Sequence, residues 1–153
     1  MARKKEKKKR GESSITVDDL ADRVSKVMTA TLAKSVPAPS AFTYELKWDG
    51  YRIVAVKAGG EVRLVSRKGQ DYTKEMATVA TAIAALDVES CALDGDFFSL
   101  DARCVPSFQL LQNRMRKRAP LVYFAFDCLF RDGEDLRDRP IEERRAALDA
   151  VLG

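Results

Sequence analysis

The chain has 153 residues, 46% of them apolar and 33% charged, which is enough for one domain with a hydrophobic core. Apolar runs are too short to cross a membrane, and the basic start leads into no apolar segment of the kind that a secretory signal needs. The three cysteines are odd in number and widely spaced, and the chain contains no histidine. This composition argues against a disulfide scaffold or a zinc site and favours a reducing, cytoplasmic location.

The first ten residues carry the whole basic excess of a chain whose net charge is +4. They hold seven Lys/Arg and one Glu, whereas the remaining residues hold 20 basic and 22 acidic side chains. This predicts a solvated, disordered basic tail over residues 1–14. Whether the tail also binds phosphate backbone stays open at this point. The basic residues concerned are Arg3, Lys4, Lys5, Lys7, Lys8, Lys9 and Arg10.

A helix is predicted to begin after Thr16, which is a favourable N-cap followed by acidic residues. An apolar stripe at helical spacing follows, formed by Val17, Leu20, Ala21, Val24, Val27 and Met28. The proline-rich stretch 37–40 ends this segment and predicts an extended lead into the next one.

Residues 44–48 alternate like a strand, which ends at a predicted tight turn formed by Asp49 and Gly50. The alternation places the charged side chains on one face and the apolar ones on the other, toward a core. The charged positions are Glu45, Lys47 and Asp49, and the apolar ones are Leu46 and Trp48. A lysine between two carboxylates is an unusual arrangement for stability alone, although Lys-x-Asp-Gly also occurs by chance at hairpin turns.

The rest of the chain predicts a mixed order of strands and helices. Strands 51–57 and 61–66 flank a Gly59-Gly60 hairpin, and Thr73 is predicted to cap a helix. Further on, the pattern predicts a strand opened by a turn at Asp94-Gly95, a short helix from Pro106, a buried strand over 121–130, and a helix over 140–152 begun by Asp138 and Pro140. The fold class is therefore α+β, with helices packed on an antiparallel sheet.

Four ordered motifs resemble those of the ATP-dependent DNA ligases, specifically the adenylation (nucleotidyltransferase) domain of bacterial end-joining ligases. They are Tyr-Glu-Leu-Lys-Trp-Asp-Gly-Tyr-Arg at 44–52, Ser-Arg-Lys-Gly at 66–69, Leu-Asp-Gly-Asp at 93–96, and Tyr-Phe-Ala-Phe-Asp-Cys-Leu at 123–129. The sequel from Gly133 to Arg145 is similar as well, so that the likeness covers roughly residues 28–152. The chain departs from the family pattern at Lys68, where asparagine is more usual, and at Asp96, where glutamate is more usual.

The resemblance implies that Lys47 attacks the α-phosphate of ATP, releasing pyrophosphate and leaving a lysyl-AMP phosphoramidate. The AMP then passes to a DNA 5′-phosphate, and a 3′-hydroxyl displaces it to join the strands. Lys47 must act as a neutral amine. The carboxylates of Glu45 and Asp49 favour the ammonium form, and a divalent cation among them would reverse that field. Magnesium is therefore expected beside ATP, as the family also implies.

The other implied roles follow motif position. Arg52 and Arg67 would hold ribose and phosphate oxygens, which suits their rigid donor forks. Phe126 would stack on adenine, unless it is only a core aromatic of a buried strand. Glu45 would lie near the adenine edge. Asp96 would serve the ribose or the metal with a shorter reach than glutamate, and Asp94 could be only a turn residue with Gly95 supplying backbone freedom.

Two further family motifs, Glu-Gly-x-x-x-Lys and Lys-x-Lys, are not found in the 153 residues, nor is the oligonucleotide-binding domain that the resemblance implies. The expectation is thus a tail over residues 1–14 and the N-terminal part of a truncated adenylation domain over 15–153. The expected partners are nicked or broken DNA in the bacterial cytoplasm and nucleoid, and a chain that supplies the missing half, with no membrane. Two alternatives stay open: a non-catalytic remnant that binds nucleotide or nucleic acid, and an RNA ligase or capping-type nucleotidyltransferase.

Overall fold

A computed structural model of the chain describes residues 15–38, 42–47, 50–107, 110 and 120–153. The elements below all belong to this part of the chain. The helices are α1 (Val17–Arg23), α2 (Ala77–Ala84) and α3 (Ile141–Leu152). The strands are β1 (Tyr51–Ala58), β2 (Glu61–Ser66), β3 (Ser90–Leu100), β4 (Pro106–Ser107), β5 (Leu121–Arg131) and β6 (Glu134–Asp135).

The strands form one antiparallel sheet in the order β2-β1-β3-β5-β6, with β4 paired to the end of β3. The predicted hairpin between β1 and β2 is present. Its two glycines have φ values of 58° and 88°, which non-glycine residues rarely adopt. The α+β prediction, with an antiparallel sheet and helices packed on it, is confirmed.

Helices cover both faces of the sheet, and this explains the long apolar run of β1. Helix α1 packs on one face, where Val54 and Val56 join Leu20 and Phe130 in a buried cluster. Helices α2 and α3 pack on the other face. The second cluster has Ile53, Ala55, Leu64, Met76, Val79, Ile83, Cys91, Leu93, Phe97, Cys128, Leu136, Leu148 and Val151 as its buried members. Since both faces of β1 are covered, residues 53–58 are buried without alternation.

The predicted turn at Asp94-Gly95 is wrong, because β3 runs through both residues. The pairing of β3 with β5 shifts register there, between Asp94 and Gly95 and again between Ala92 and Leu93. Such bulges bend a strand and re-aim its side chains without ending it. The Asp-Gly pair predicted a turn because short-range turn propensity does not include the strand partners that hold β3 extended.

The predicted strand over 44–48 is also wrong for the residues that the structure describes. Residues 42–47 have no helix or strand, and Leu46, expected in the core, has a relative exposure of 77%. The alternation of side chains is compatible with a strand, but a strand needs a neighbour. Both edges of β1 are already taken, by β2 and β3.

The predicted helix starts agree in part with the structure. Thr16 caps α1 by accepting a hydrogen bond from the Asp19 amide at 3.1 Å, but α1 ends at Arg23, and Met28 is exposed. Thr73 does not cap α2: its hydroxyl accepts from the Leu64 amide instead.

At α3 the N-cap is Pro140, so Asp138 does not take the capping position that the sequence suggested. Pro106 begins the short strand β4, where a helix was expected. Most of that predicted helix, and the basic tail over residues 1–14, lie outside the described residues.

Candidate nucleotide-binding site

A cleft of about 780 Å³ opens at one end of the sheet. Its walls come from β1, β3 and β5, from the turn after β2, from α3 and from irregular segments. The lining residues are Thr29, Ala30, Glu45, Leu46, Lys47, Gly50, Arg52, Arg67, Asp96, Phe124, Phe126 and Arg145. Arg52 of β1 is the register partner of Asp96 of β3, which in turn pairs with Phe124 of β5. The three central strands thus each supply a side chain to the floor of the cleft.

The cleft brings together every predicted site residue that the structure describes outside the tail. Glu45 and Lys47 lie on the irregular segment before β1, and Arg67 lies in the turn after β2. Arg52, Asp96 and Phe126 come from the central strands β1, β3 and β5. Asp49 and the seven basic residues of the tail lie outside the described residues.

Arg52 is held by a buried carboxylate that the sequence suggested was only a turn residue. Its Nε and Nη2 donate to the two oxygens of Asp94 at 3.0 and 2.6 Å, and the Asp94 side chain is only 2% exposed. This fork-to-fork contact raises the pKa of Arg52, mainly through the hydrogen bonds to Asp94, with burial opposing the change. Burial raises the pKa of Asp94, and the hydrogen bonds and charge of Arg52 oppose that rise. Asp94 is therefore the group that fixes the orientation of Arg52.

Phe126 lines the cleft from β5 and is partly exposed. The Arg52 guanidinium carbon lies over its ring, 5.6 Å from the ring centroid, within the range of a cation–π contact. Phe126 is therefore not a fully buried core residue, and its ring is accessible from the cleft.

Two motif glycines are required by close packing and not by an unusual φ. A Cβ atom on Gly50 would lie 2.7 Å from the Phe97 carbonyl oxygen and 2.9 Å from the Asp96 Cβ. A Cβ atom on Gly95 would lie 2.5 Å from the Phe124 carbonyl oxygen and 2.6 Å from the Tyr123 ring. The suggestion that Gly95 supplies backbone freedom is corrected accordingly, since its φ is not positive. Gly50 itself therefore lies directly against β3.

The comparisons with known proteins agree with this architecture. The family model described as "ATP dependent DNA ligase domain" matches residues 19–153. The chain is 41% identical over 118 residues to the "Multifunctional non-homologous end joining protein LigD" of Pseudomonas aeruginosa, covering 76% of this chain and 14% of that protein. It is 38% identical over 137 residues to "DNA ligase C" of Mycobacterium tuberculosis, covering 80% of this chain and 37% of that one.

The chain belongs to the ATP-dependent DNA ligase family. Among solved structures, the ligase domain of Mycobacterium tuberculosis LigD matches with a TM-score of 0.62 and 39% identity, over 69% of this chain and 35% of that one. A mycobacterial DNA ligase D solved in complex with ATP and MES matches with a TM-score of 0.60, 39% identity and the same coverage of both chains. The chain therefore spans well under half the length of the ligases that it matches.

In this ligase-family cleft, the carboxylates fit magnesium only together with a phosphate ligand. Within the described part of the chain, no group of three or more Cys, Asp or Glu side chains is placed to hold a metal. Asp96 and Glu45 are the carboxylates of the cleft lining. Magnesium is usually held by one or two carboxylates plus substrate phosphates, so this donor set suits a metal that arrives with a triphosphate.

Sequence reasoning missed two residues that shape the cleft of this ligase-family chain. Arg145, on α3, forms an ion pair with Glu45, and Phe124 exposes 43% of its surface beside Phe126. Arg145 is one of several charged residues on α3, and no spacing rule singles it out. Phe124 had a detectable signal, since it lies two positions before Phe126 and therefore on the same face of a strand.

No helix in the described part of the chain is long and apolar enough to span a membrane.

Proposed function

We propose that the cleft binds ATP and that Lys47 becomes adenylated there, as the first step of strand joining by an ATP-dependent DNA ligase. The observation that carries the proposal is convergence. Six residues, predicted from motifs far apart in the sequence, line one cleft: Glu45, Lys47, Arg52, Arg67, Asp96 and Phe126. The ATP bound to the mycobacterial ligase D of similar fold supports the same assignment.

The chemistry assigned to Lys47 is nucleophilic attack by its neutral amine on the α-phosphorus of ATP. A phosphorus–nitrogen bond forms, the bond from the α-phosphorus to the bridging oxygen breaks, pyrophosphate leaves with that electron pair, and the nitrogen loses one proton to solvent. Arg52 and Arg67 would bind ribose and phosphate oxygens, and the grip of Asp94 on Arg52 pre-orients one of these donor forks. Orientation before binding lowers the entropy lost when the nucleotide is fixed.

The remaining residues of the cleft would recognise the base and the metal. Phe126 would stack on adenine, with Arg52 already packed over the ring. Glu45 would lie near the adenine edge, and Asp49 near the reacting lysine. Asp96 would hold magnesium together with the phosphates or would bind the ribose. Magnesium would neutralise phosphate charge.

The later steps belong to the whole ligase reaction. We infer transfer of AMP to a 5′-phosphate at a DNA nick or broken end, followed by attack of a 3′-hydroxyl. Arg3, Lys4, Lys5, Lys7, Lys8, Lys9 and Arg10 would bind the DNA backbone. The bacterial cytoplasm and nucleoid would be the place of action, and another chain could supply the two motifs absent from these residues. The division into a tail over 1–14 and an adenylation region over 15–153 stays a prediction.

The direct test is the intact mass of the purified chain after incubation with ATP and magnesium. The unmodified chain is expected to gain one AMP, and Lys47→Ala to gain none, because the attacking amine is gone. Lys74→Ala is a matched control, since Lys74 is an exposed lysine that does not line the cleft. It should be adenylated like the unmodified chain.

ATP binding separates the two ways in which that test can fail. If no adduct forms but the chain binds ATP, and Phe126→Ala weakens that binding, the chain is a nucleotide-binding member of the family that does not complete step one. If the chain neither forms the adduct nor binds ATP in this way, the assignment of the cleft is wrong. If the adduct forms, transfer of AMP to a nicked DNA duplex and not to a matched nicked RNA duplex would separate a DNA ligase from an RNA ligase.

A further inference from the structure

Arg145 connects α3, which packs on the sheet, to the segment that carries Lys47. It lies in the second turn of α3, lines the cleft, and forms an ion pair with Glu45. Glu45 is two residues before Lys47 in the chain. The contact therefore links α3 to the segment whose lysine is proposed to react.

The helix residue next to Arg145 is firmly anchored. Arg144 is 7% exposed, and its Nε donates to both carboxylate oxygens of Asp127, at 2.8 and 3.1 Å. Its Nη1 donates to the Arg139 carbonyl oxygen at 2.6 Å. Asp127 directly follows Phe126 on β5, so this buried ion pair fixes the beginning of α3 beside the cleft. Arg145 thus extends from an element whose position is determined by buried contacts.

The described part of the segment that carries Lys47, residues 42–47, lies at the surface. Residues 42–47 form no helix or strand, and all six are exposed. The contacts of this segment include the hydrogen bond from the Tyr44 hydroxyl to the Pro37 carbonyl oxygen, which joins it to another irregular stretch. The Glu45–Arg145 pair joins it to α3. A nucleophile must be held in a narrow range of positions for an in-line attack, and an irregular segment needs side-chain contacts to provide that.

We propose that Arg145 is a positioning residue, which acts through Glu45 to hold the Lys47 segment at the cleft wall. This rests on the proposed function in one respect, namely that Lys47 is the reacting amine. The buried Arg145 Nε has no hydrogen-bond partner among the described residues, so one donor of this guanidinium makes no hydrogen bond there. Incomplete satisfaction of this kind is better explained by a site requirement than by helix stability.

The first test uses Trp48, the chain's single tryptophan, as a probe of segment motion without any nucleotide. It directly follows Lys47, so the decay of its fluorescence anisotropy reports local motion of this segment. In Arg145→Ala the slow component, which follows tumbling of the whole molecule, should lose at least about half of its amplitude. Arg145→Lys should show a smaller loss, because a lysine keeps the charge but loses the fork.

The charge-reversed pair Glu45→Arg with Arg145→Glu tests the contact itself. The double variant should recover the slow component that Glu45→Arg alone loses, because the ion pair is rebuilt in the opposite sense. Arg139→Ala is the matched control: it removes exposed ion pairs to Glu134 and Glu143 beside α3, away from the cleft. An unchanged anisotropy decay in Arg145→Ala, with the double variant no different from Glu45→Arg, would overturn the proposal.

The second test measures the rate of AMP attachment at saturating ATP. Arg145→Ala is expected to lower the rate by about 10- to 100-fold, with a much smaller change in the ATP concentration for half-saturation, because a misplaced nucleophile slows the chemical step more than binding. An equal loss in both quantities would show that Arg145 is a binding residue and not a positioning one. If the unmodified chain forms no adduct, the proposed function fails, and the anisotropy decay still decides whether Arg145 holds the segment.

Discussion

At the scale of single residues, the motif glycines show how packing fixes residue type. Gly95 of β3 lies against the Phe124 carbonyl oxygen of β5, and Tyr123 fills the space beside it. The Tyr123 hydroxyl donates to the Leu93 carbonyl oxygen at 2.7 Å, and burial raises the pKa of this phenol well above its usual value. Tyr123 is therefore neutral and fixed, so it cannot move aside for a larger neighbour at position 95.

Gly95→Ala should lower the free energy of unfolding by about 3 kcal/mol, the upper part of the usual range for overpacking, since its new Cβ would meet backbone and a fixed ring. The measurement is urea unfolding followed by circular dichroism, with the slope compared between variants. Ser99→Ala is the control in the same strand. Its buried hydroxyl has no partner among the described residues, so its removal should leave stability unchanged or slightly raised. Equal midpoints for Gly95→Ala and the unmodified chain would contradict the packing argument.

At the scale of elements, α1 is held to the β5–β6 region by an ion pair and a hydrogen bond as well as by its apolar side. Arg137 donates to both carboxylate oxygens of Asp135, at 2.9 and 2.7 Å, and through Nη1 to the Arg23 carbonyl oxygen at 2.9 Å. Arg23 also pairs with Asp135 at 3.4 Å and lies over the Phe130 ring. The hydrogen bonds from Arg137 lower the pKa of Asp135 from 3.8 to about 2.

The lowered pKa of Asp135 predicts the pH at which the contribution of this carboxylate to stability is lost. A carboxylate with a lower pKa in the folded state stabilises the fold above its unfolded pKa, and the contribution disappears as the pH falls through the folded pKa. Asp135→Asn should therefore lower stability at pH 6 by about 1 kcal/mol, allowing for solvent screening, and the difference should vanish between about pH 4 and pH 2. Thermal unfolding of both chains over this range measures it. Asp149→Asn, at an exposed position of α3, is the control, and a difference that stayed constant down to pH 2 would show that the carboxylate charge is not the cause.

Much of the element pattern could be predicted from the sequence, because the deciding forces are local. Thr16 as a cap, the Gly59-Gly60 hairpin and a strand over 121–130 follow from propensity and periodicity, although only residues 127–130 of that strand are buried. The irregular course of residues 42–47 and the bulges of β3 depend on which strands are neighbours, and spacing along the chain does not encode this.

The candidate site, too, could be predicted from the sequence only in part. That Lys47, Arg67 and Phe126 belong together came from the resemblance to ligases, since no periodicity relates residues so far apart. The contacts that orient them, Asp94 on Arg52 and Arg145 on Glu45, are made between distant segments. A single sequence gives no sign of which carboxylate meets which arginine. The Arg52–Asp94 pair would have required the knowledge that β1 lies beside β3.

At the scale of the whole molecule, the core and the stretch before β1 differ sharply in burial. Cys91 and Cys128 are fully buried in the cluster beneath α2 and α3, whereas the apolar side chains of Leu32 and Leu46 are 98% and 77% exposed. The third cysteine, Cys104, is exposed. The three thiols therefore report separately on the core and on the surface.

Thiol labelling under native conditions should modify one cysteine rapidly and two only after the core opens. Burial raises the pKa of Cys91 to about 12 and that of Cys128 to about 11, so both lack thiolate as well as access near neutral pH. Mass spectrometry with iodoacetamide should show a single adduct, at Cys104, in native buffer and three in denaturant. Cys104→Ser should abolish the fast adduct and leave the two slow ones, whose rate follows the opening of the core. Rapid labelling of all three cysteines in native buffer would mean that the packed sheet is not stably formed in this chain. This sheet brings Arg52, Asp96 and Phe126 to the cleft. Adenylation of Lys47 would then require a further partner to complete the fold.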